Sequence, residues 1–134
     1  MMSRMRQLAR LSEIQRLRKL SHETRLAAVE ARISALREEQ AALLALQDRH
    51  YETGNSFIPL SAIVSRIDAV LKRRDELEAL AASMRRDFLE ASRMLDRVDE
   101  KHLSERRSVE RAENAGAIEE ALAHWIVRKR SSLP

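Results

Sequence analysis

Stepping three and four residues alternately along the second half of the chain meets Leu60, Ile63, Ile67, Val70, Arg74, Leu77, Ala81, Met84, Phe88, Ala91, Leu95, Val98, His102, Glu105, Val109 and Ala112. Thirteen of these sixteen positions are apolar. That run is far longer than the three or four heptads that mark a coiled-coil helix. No proline interrupts it, and Gly116 lies beyond it. A helix with so long an apolar edge must bury that edge against another helix.

The first half supplies one. A helix is expected from about Ser3 to His50, and its distal part keeps a clear register through Leu26, Val29, Ile33, Leu36, Gln40 and Leu43. Upstream, Leu8, Leu11, Ile14, Leu17 and Leu20 recur every three residues, which smears the stripe around the helix. Between the helices lies Tyr51-Glu-Thr-Gly-Asn-Ser-Phe-Ile-Pro59. Gly54 suits a left-handed cap, Asn55 and Ser56 supply turn chemistry, and Pro59 fits the first turn of the next helix. So short a connection favours antiparallel neighbours.

Folding the sequence about residue 55 sets Leu43 against Ile67, Ile33 against Leu77 and Leu26 against Met84. At ~1.5 Å per residue the helices would span roughly 70 Å and 100 Å. The expected fold is all-α: a two-helix antiparallel coiled-coil hairpin with a longer second helix. It forms a single domain over 1–134, with helices at 3–50 and 60–130 and a tip loop at 51–59. By the same arithmetic Met1 reaches only to about Val109. The last stretch is left without an intramolecular partner, yet it carries Ala115, Ile118, Leu122, Trp125 and Ile126 on one stripe. Asn114 and Gly116, where the stripe changes phase, suggest a kink or frayed turn. An unpartnered apolar stripe is a binding surface in waiting.

Composition agrees. Aromatic residues make up 3% and charged residues 34%, with two Gly and two Pro, which suits long helices and not a globular core. There is no cysteine, so disulfides and thiolate metal sites are excluded. Arg4, Arg6 and Arg10 near the start are not followed by a continuous apolar stretch, so no secretory leader is expected. No apolar run is long enough for a membrane span. A cytoplasmic protein is expected.

The charge is unevenly spread. Residues 1–25 hold seven Arg or Lys against Glu13 and Glu23, and Arg128-Lys129-Arg130 close the second helix. In a hairpin these two basic ends meet, and they would steer association with an acidic protein surface. Phosphate contact by Arg4, Arg6, Arg10, Arg16, Arg18, Lys19 and Arg25 is a weaker reading, because no aromatics interleave and no DNA-binding motif is present.

Catalysis is not expected, since neither a phosphate-binding Gly-rich loop nor a nucleophile arrangement is present. Asp99 and His102, and Glu120 and His124, each place a carboxylate and an imidazole on one helix face. Bundle metal sites need Glu-x-x-His on two helices plus further carboxylates. Such a set is missing here, so neither metal nor cofactor is expected. Arg74 and His102 read instead as polar seam insertions that fix register. At the tip, Gln47, His50, Tyr51, Phe57 and Ile58 are either local turn packing or a docking knob.

A basic, cysteine-free, two-helix antiparallel chain of this length, with a longer second helix ending in basic residues, resembles the FliJ/YscO family. These are stalk proteins of flagellar and injectisome type III export ATPases. The resemblance rests on architecture over the whole chain; Pro59 at the tip and Trp125 near the end depart from the family pattern. It implies a non-enzymatic adaptor whose paired termini enter a hexameric ATPase ring. The tip would meet the export-gate membrane protein, and free secretion chaperones would be escorted. The ring contact would fall on Arg4, Arg6, Arg10, Ile118, Leu122, Trp125, Ile126, Arg128, Lys129 and Arg130. The gate contact would fall on Leu43, Gln47, His50, Tyr51, Phe57, Leu60 and Ile63. Association with the membrane would then be peripheral, through a partner, with no small-molecule substrate. The rival readings are a coiled-coil scaffold or chaperone that homodimerises through its free stripe, a nucleic-acid binder, and a metal-binding bundle formed by dimerisation.

Overall fold

The computed structural model describes residues 3–54 and 57–132. Two helices, α1 (Arg4–Thr53) and α2 (Leu60–Ser131), pack against each other as an all-α hairpin, with no strand among the described residues.

Local chemistry sets the ends. Ser3 caps α1: its Oγ accepts from the Arg6 amide at 3.3 Å, and its carbonyl accepts from the Gln7 amide. α1 runs three residues beyond the expected stop at His50, so Tyr51 sits in its last turn. Termination falls to Gly54, which adopts φ 64° and donates its amide to the His50 carbonyl at 3.0 Å. This is a left-handed cap that a side chain would strain. Asn55 and Ser56, expected to make the turn, lie outside the described residues. Pro59 stands just ahead of α2, where its carbonyl accepts from the Ala62 and Ile63 amides. A proline here wastes no donor.

The chain divides into two compact units, Leu17–Ser92 on one hand and Met1–Arg16 with Arg93–Pro134 on the other. Within Leu17–Ser92, Ile33, Leu77 and Ala81 are buried together, flanked by Leu26, Val29 and Leu36. Ile63, Ile67, Val70 and Ala91 are buried too. Fully burying a side chain such as Ile63 or Val70 contributes about 1.5–3 kcal/mol. Ala81 and Ala91 are 0% exposed, so they leave no room for a larger residue. Arg37–Glu78 at 2.9 Å, Arg66–Glu39 at 2.6 Å and Arg85–Glu30 at 3.3 Å bridge the helices. Exposed pairs like these add little stability, but their spacing follows the register expected from folding about residue 55.

The second unit is more polar. Leu95 and Val98 are buried, and Met5, Leu8, His102, Glu105 and Val109 are half-buried. Ser12 is buried and donates its hydroxyl to Asp99, which Arg16 approaches at 3.8 Å. Arg4 reaches Glu105 at 3.8 Å.

One expectation is corrected. The α2 seam holds from Leu60 to Val109 but stops there: Ala112 is exposed, because α1 begins at Arg4 and offers it nothing. Early in α1, where the three-residue spacing smears the stripe, Leu8 alone of the five is half-buried. Leu11, Ile14, Leu17 and Leu20 are between 41% and 62% exposed. Ser12, Gln15, Lys19 and His22 turn inward instead. Those four continue the three-four alternation backwards from Leu26, and one helix cannot serve two registers.

Candidate interaction surfaces

Past Val109, α2 is covered by nothing among the described residues of its unit. Every residue from Glu110 to Ser132 is exposed, including Ile118, Leu122, Trp125, Ile126 and Val127. The helix is nonetheless unbroken through Asn114 and Gly116, so no turn is frayed there. Gly116 has open space around it and no positive φ. The helical spacing brings Ala115, Ile118, Leu122, Trp125 and Ile126 onto one face. Lys129 lies along the same stripe and places its ammonium 4.7 Å from the Trp125 ring centre, a cation–π contact at the rim. His124, Trp125, Arg128 and Ala121 line a shallow groove. Arg128, Lys129 and Arg130 occupy the last turn, where the helix dipole favours positive charge.

Arg4, Arg6 and Arg10 belong to the same unit and are exposed. Arg4 pairs at the level of Glu105, about four helical turns before Ile118, so the arginines and the apolar stripe form two patches and not one.

The tip belongs to the other unit, and its expected residues divide. Ile63 is 1% exposed and serves the hairpin seam. Leu43, Gln47, His50 and Leu60 are half-buried in the same packing. Tyr51, Phe57 and Ile58 are exposed, Phe57 fully. The Tyr51 ring meets His50 edge-on, with centroids 6.4 Å apart at 71°. The accessible part of the tip is therefore Tyr51, Phe57 and Ile58.

One polar site went unread in the sequence. Ala9, Ser12, Glu13, Arg16 and His102 line a small groove, and the Ser12 hydroxyl donates to Asp99. Asp99 and His102 share a helix face by spacing, yet Asp99 is engaged by Ser12 and Arg16. The missing signal was Ser12, visible once the Leu26 register is extended towards the N-terminus. Among the described residues no group of three or more His, Asp or Glu side chains could hold a metal ion. No helix among them is long and apolar enough to cross a membrane.

No family model matches the chain, and neither the curated proteins nor the solved structures provide a match.

Proposed function

We propose that this chain is a non-enzymatic stalk or adaptor of a bacterial type III export apparatus, flagellar or injectisome, that couples a hexameric export ATPase to the export gate. The observation that carries this reading is the free end of α2. Ile118, Leu122, Trp125 and Ile126 are exposed beside Arg128, Lys129 and Arg130, in the unit that also contains the basic start of α1. A helix that keeps an apolar stripe and a tryptophan after its intramolecular partner has ended is built to be covered.

In this reading Trp125 and Leu122 anchor in an apolar recess of the ATPase ring, and the three terminal cations meet carboxylates at its rim. Charge sets the encounter rate and apolar burial sets the residence time. Arg4, Arg6 and Arg10 make a second, purely electrostatic contact. Tyr51, Phe57 and Ile58 at the tip dock on the gate protein or on secretion chaperones, and the protein stays in the cytoplasm except through these partners. The resemblance to the FliJ/YscO architecture supports the same assignment.

The test is co-sedimentation of the full chain with a purified hexameric export ATPase, repeated at rising salt. A complex lost with W125A, and weakened but not abolished by salt, is expected. A chain that never co-sediments at low salt contradicts the reading.

A further inference from the structure

The exposed segment from Glu113 to Arg130 has an internal polarity that its apolar stripe alone does not explain. Its acidic residues, Glu113, Glu119 and Glu120, all precede its basic residues, Arg128, Lys129 and Arg130, and the two sets are equal in number. We propose that this segment is a homotypic docking surface, on which a second copy of the chain pairs antiparallel when no other partner is bound. The pairing does not rest on the stalk reading.

The core positions follow the three-four alternation Ala115, Ile118, Leu122, Trp125, Lys129, Ser132. Turned antiparallel about a two-fold axis between residues 123 and 124, they stack in matching layers. Leu122 of each copy meets Trp125 of the other, Ile118 meets the aliphatic stem of Lys129, and Ala115 meets Ser132. The ammonium of Lys129 stays at the rim, where it already lies against Trp125. On the flank, Glu119 comes within side-chain reach of Arg130 of the second copy, twice by symmetry. Antiparallel order sets each acidic half beside a basic half and opposes the helix dipoles favourably. A parallel pair would place Arg128, Lys129 and Arg130 against themselves. The paired stretch starts beyond Val109, the last half-buried seam position, so α1 of neither copy stands in the way. An isologous contact of this kind closes as a dimer and does not propagate. Its short length makes it reversible, so that a partner which takes the same stripe would separate the copies.

Sedimentation equilibrium of the full chain alone tests the proposal. The mass should rise from 15.4 kDa at low micromolar concentration towards twice that value at hundreds of micromolar. L122E should hold it at the monomer value with the hairpin's thermal midpoint unchanged. E119R and R130E should each weaken association several-fold, and the double reversal E119R/R130E should restore it. Since the chain has no cysteine, orientation can be read by disulfide cross-linking. A mixture of A115C and S132C chains should cross-link, and A115C alone should not. A monomer at every concentration, or A115C cross-linked to itself, overturns the proposal. Neither outcome bears on ATPase binding.

Discussion

Arg74 Nη1 donates a hydrogen bond to Gln40 Oε1 at 2.7 Å, from one helix to the other, at a seam position that lies between the buried Val70 and Leu77. Both residues occupy inward heptad positions. The Arg74 side chain is 25% exposed, and it leans towards Asp75 at 3.4 Å and Glu78 at 3.9 Å. The Arg74–Gln40 bond forms only when the helices are in register: a slip by one heptad sets Arg74 against Ile33 or Gln47 and leaves Gln40 facing an apolar residue. Its role is specificity of alignment at some cost in stability.

R74A should therefore lower the unfolding free energy by about 1–3 kcal/mol, because Gln40 then loses its partner inside the seam. The double variant R74M/Q40L should recover that loss or exceed the parent stability while loosening the register. Urea midpoints measure the first effect. Cross-linking of single-cysteine pairs one heptad out of step measures the second. An R74A midpoint equal to the parent's would contradict the assignment.

Ala81 and Ala91 are 0% exposed, so small side chains there let the helices approach. A81L should destabilise the hairpin by about 1–3 kcal/mol through overpacking. The same change at exposed Ala121 should leave the midpoint unmoved, which separates a packing effect from helix propensity.

The α2 face is legible from Leu60 to Val109, polar insertions included, because twelve of its fifteen seam positions are apolar. The first part of α1 was harder. Leu11, Ile14, Leu17 and Leu20 advertise a stripe by their chemistry, but the face that meets α2 is fixed by the stronger register further along, from Leu26 to Leu43. That register carries Ser12, Gln15, Lys19 and His22 inward. Side-chain type lost to helix phase. The free end of α2 was legible because unequal helix lengths follow from where the glycine and proline of the turn stand. At the tip, Ile63 is buried in the seam and Leu60 half-buried, because the same apolar side chains that suit a contact surface also suit the hairpin.

That polar stretch makes its own prediction. The Gln15 Oε1 atom is buried without a protein hydrogen-bond partner. Q15L removes the buried polar group and adds apolar contact at the same position, so it should raise stability by about 1 kcal/mol. A fall in the thermal midpoint would mean that Gln15 is better satisfied in solution than its packing suggests.

The two glycines should respond oppositely. At Gly54 the positive φ makes G54A costly by about 1 kcal/mol, with no clash to blame because the space around it is open. G116A sits in a regular helix with nothing near it and should raise the helicity of the free segment, a gain of up to about 1 kcal/mol in local helix stability. Circular dichroism at low temperature reads the second effect, and the melting midpoint reads the first.

The account as a whole turns on the part of α2 beyond Val109 being dispensable to the hairpin and necessary to its partner. Truncation after Ala112 tests both halves at once. The shortened chain should melt at the parent temperature to within a degree or two, since every residue from Glu110 to Ser132 is exposed, and it should no longer co-sediment with the export ATPase hexamer. A shortened chain that unfolds, or one that still binds the hexamer as tightly as the parent, would contradict it.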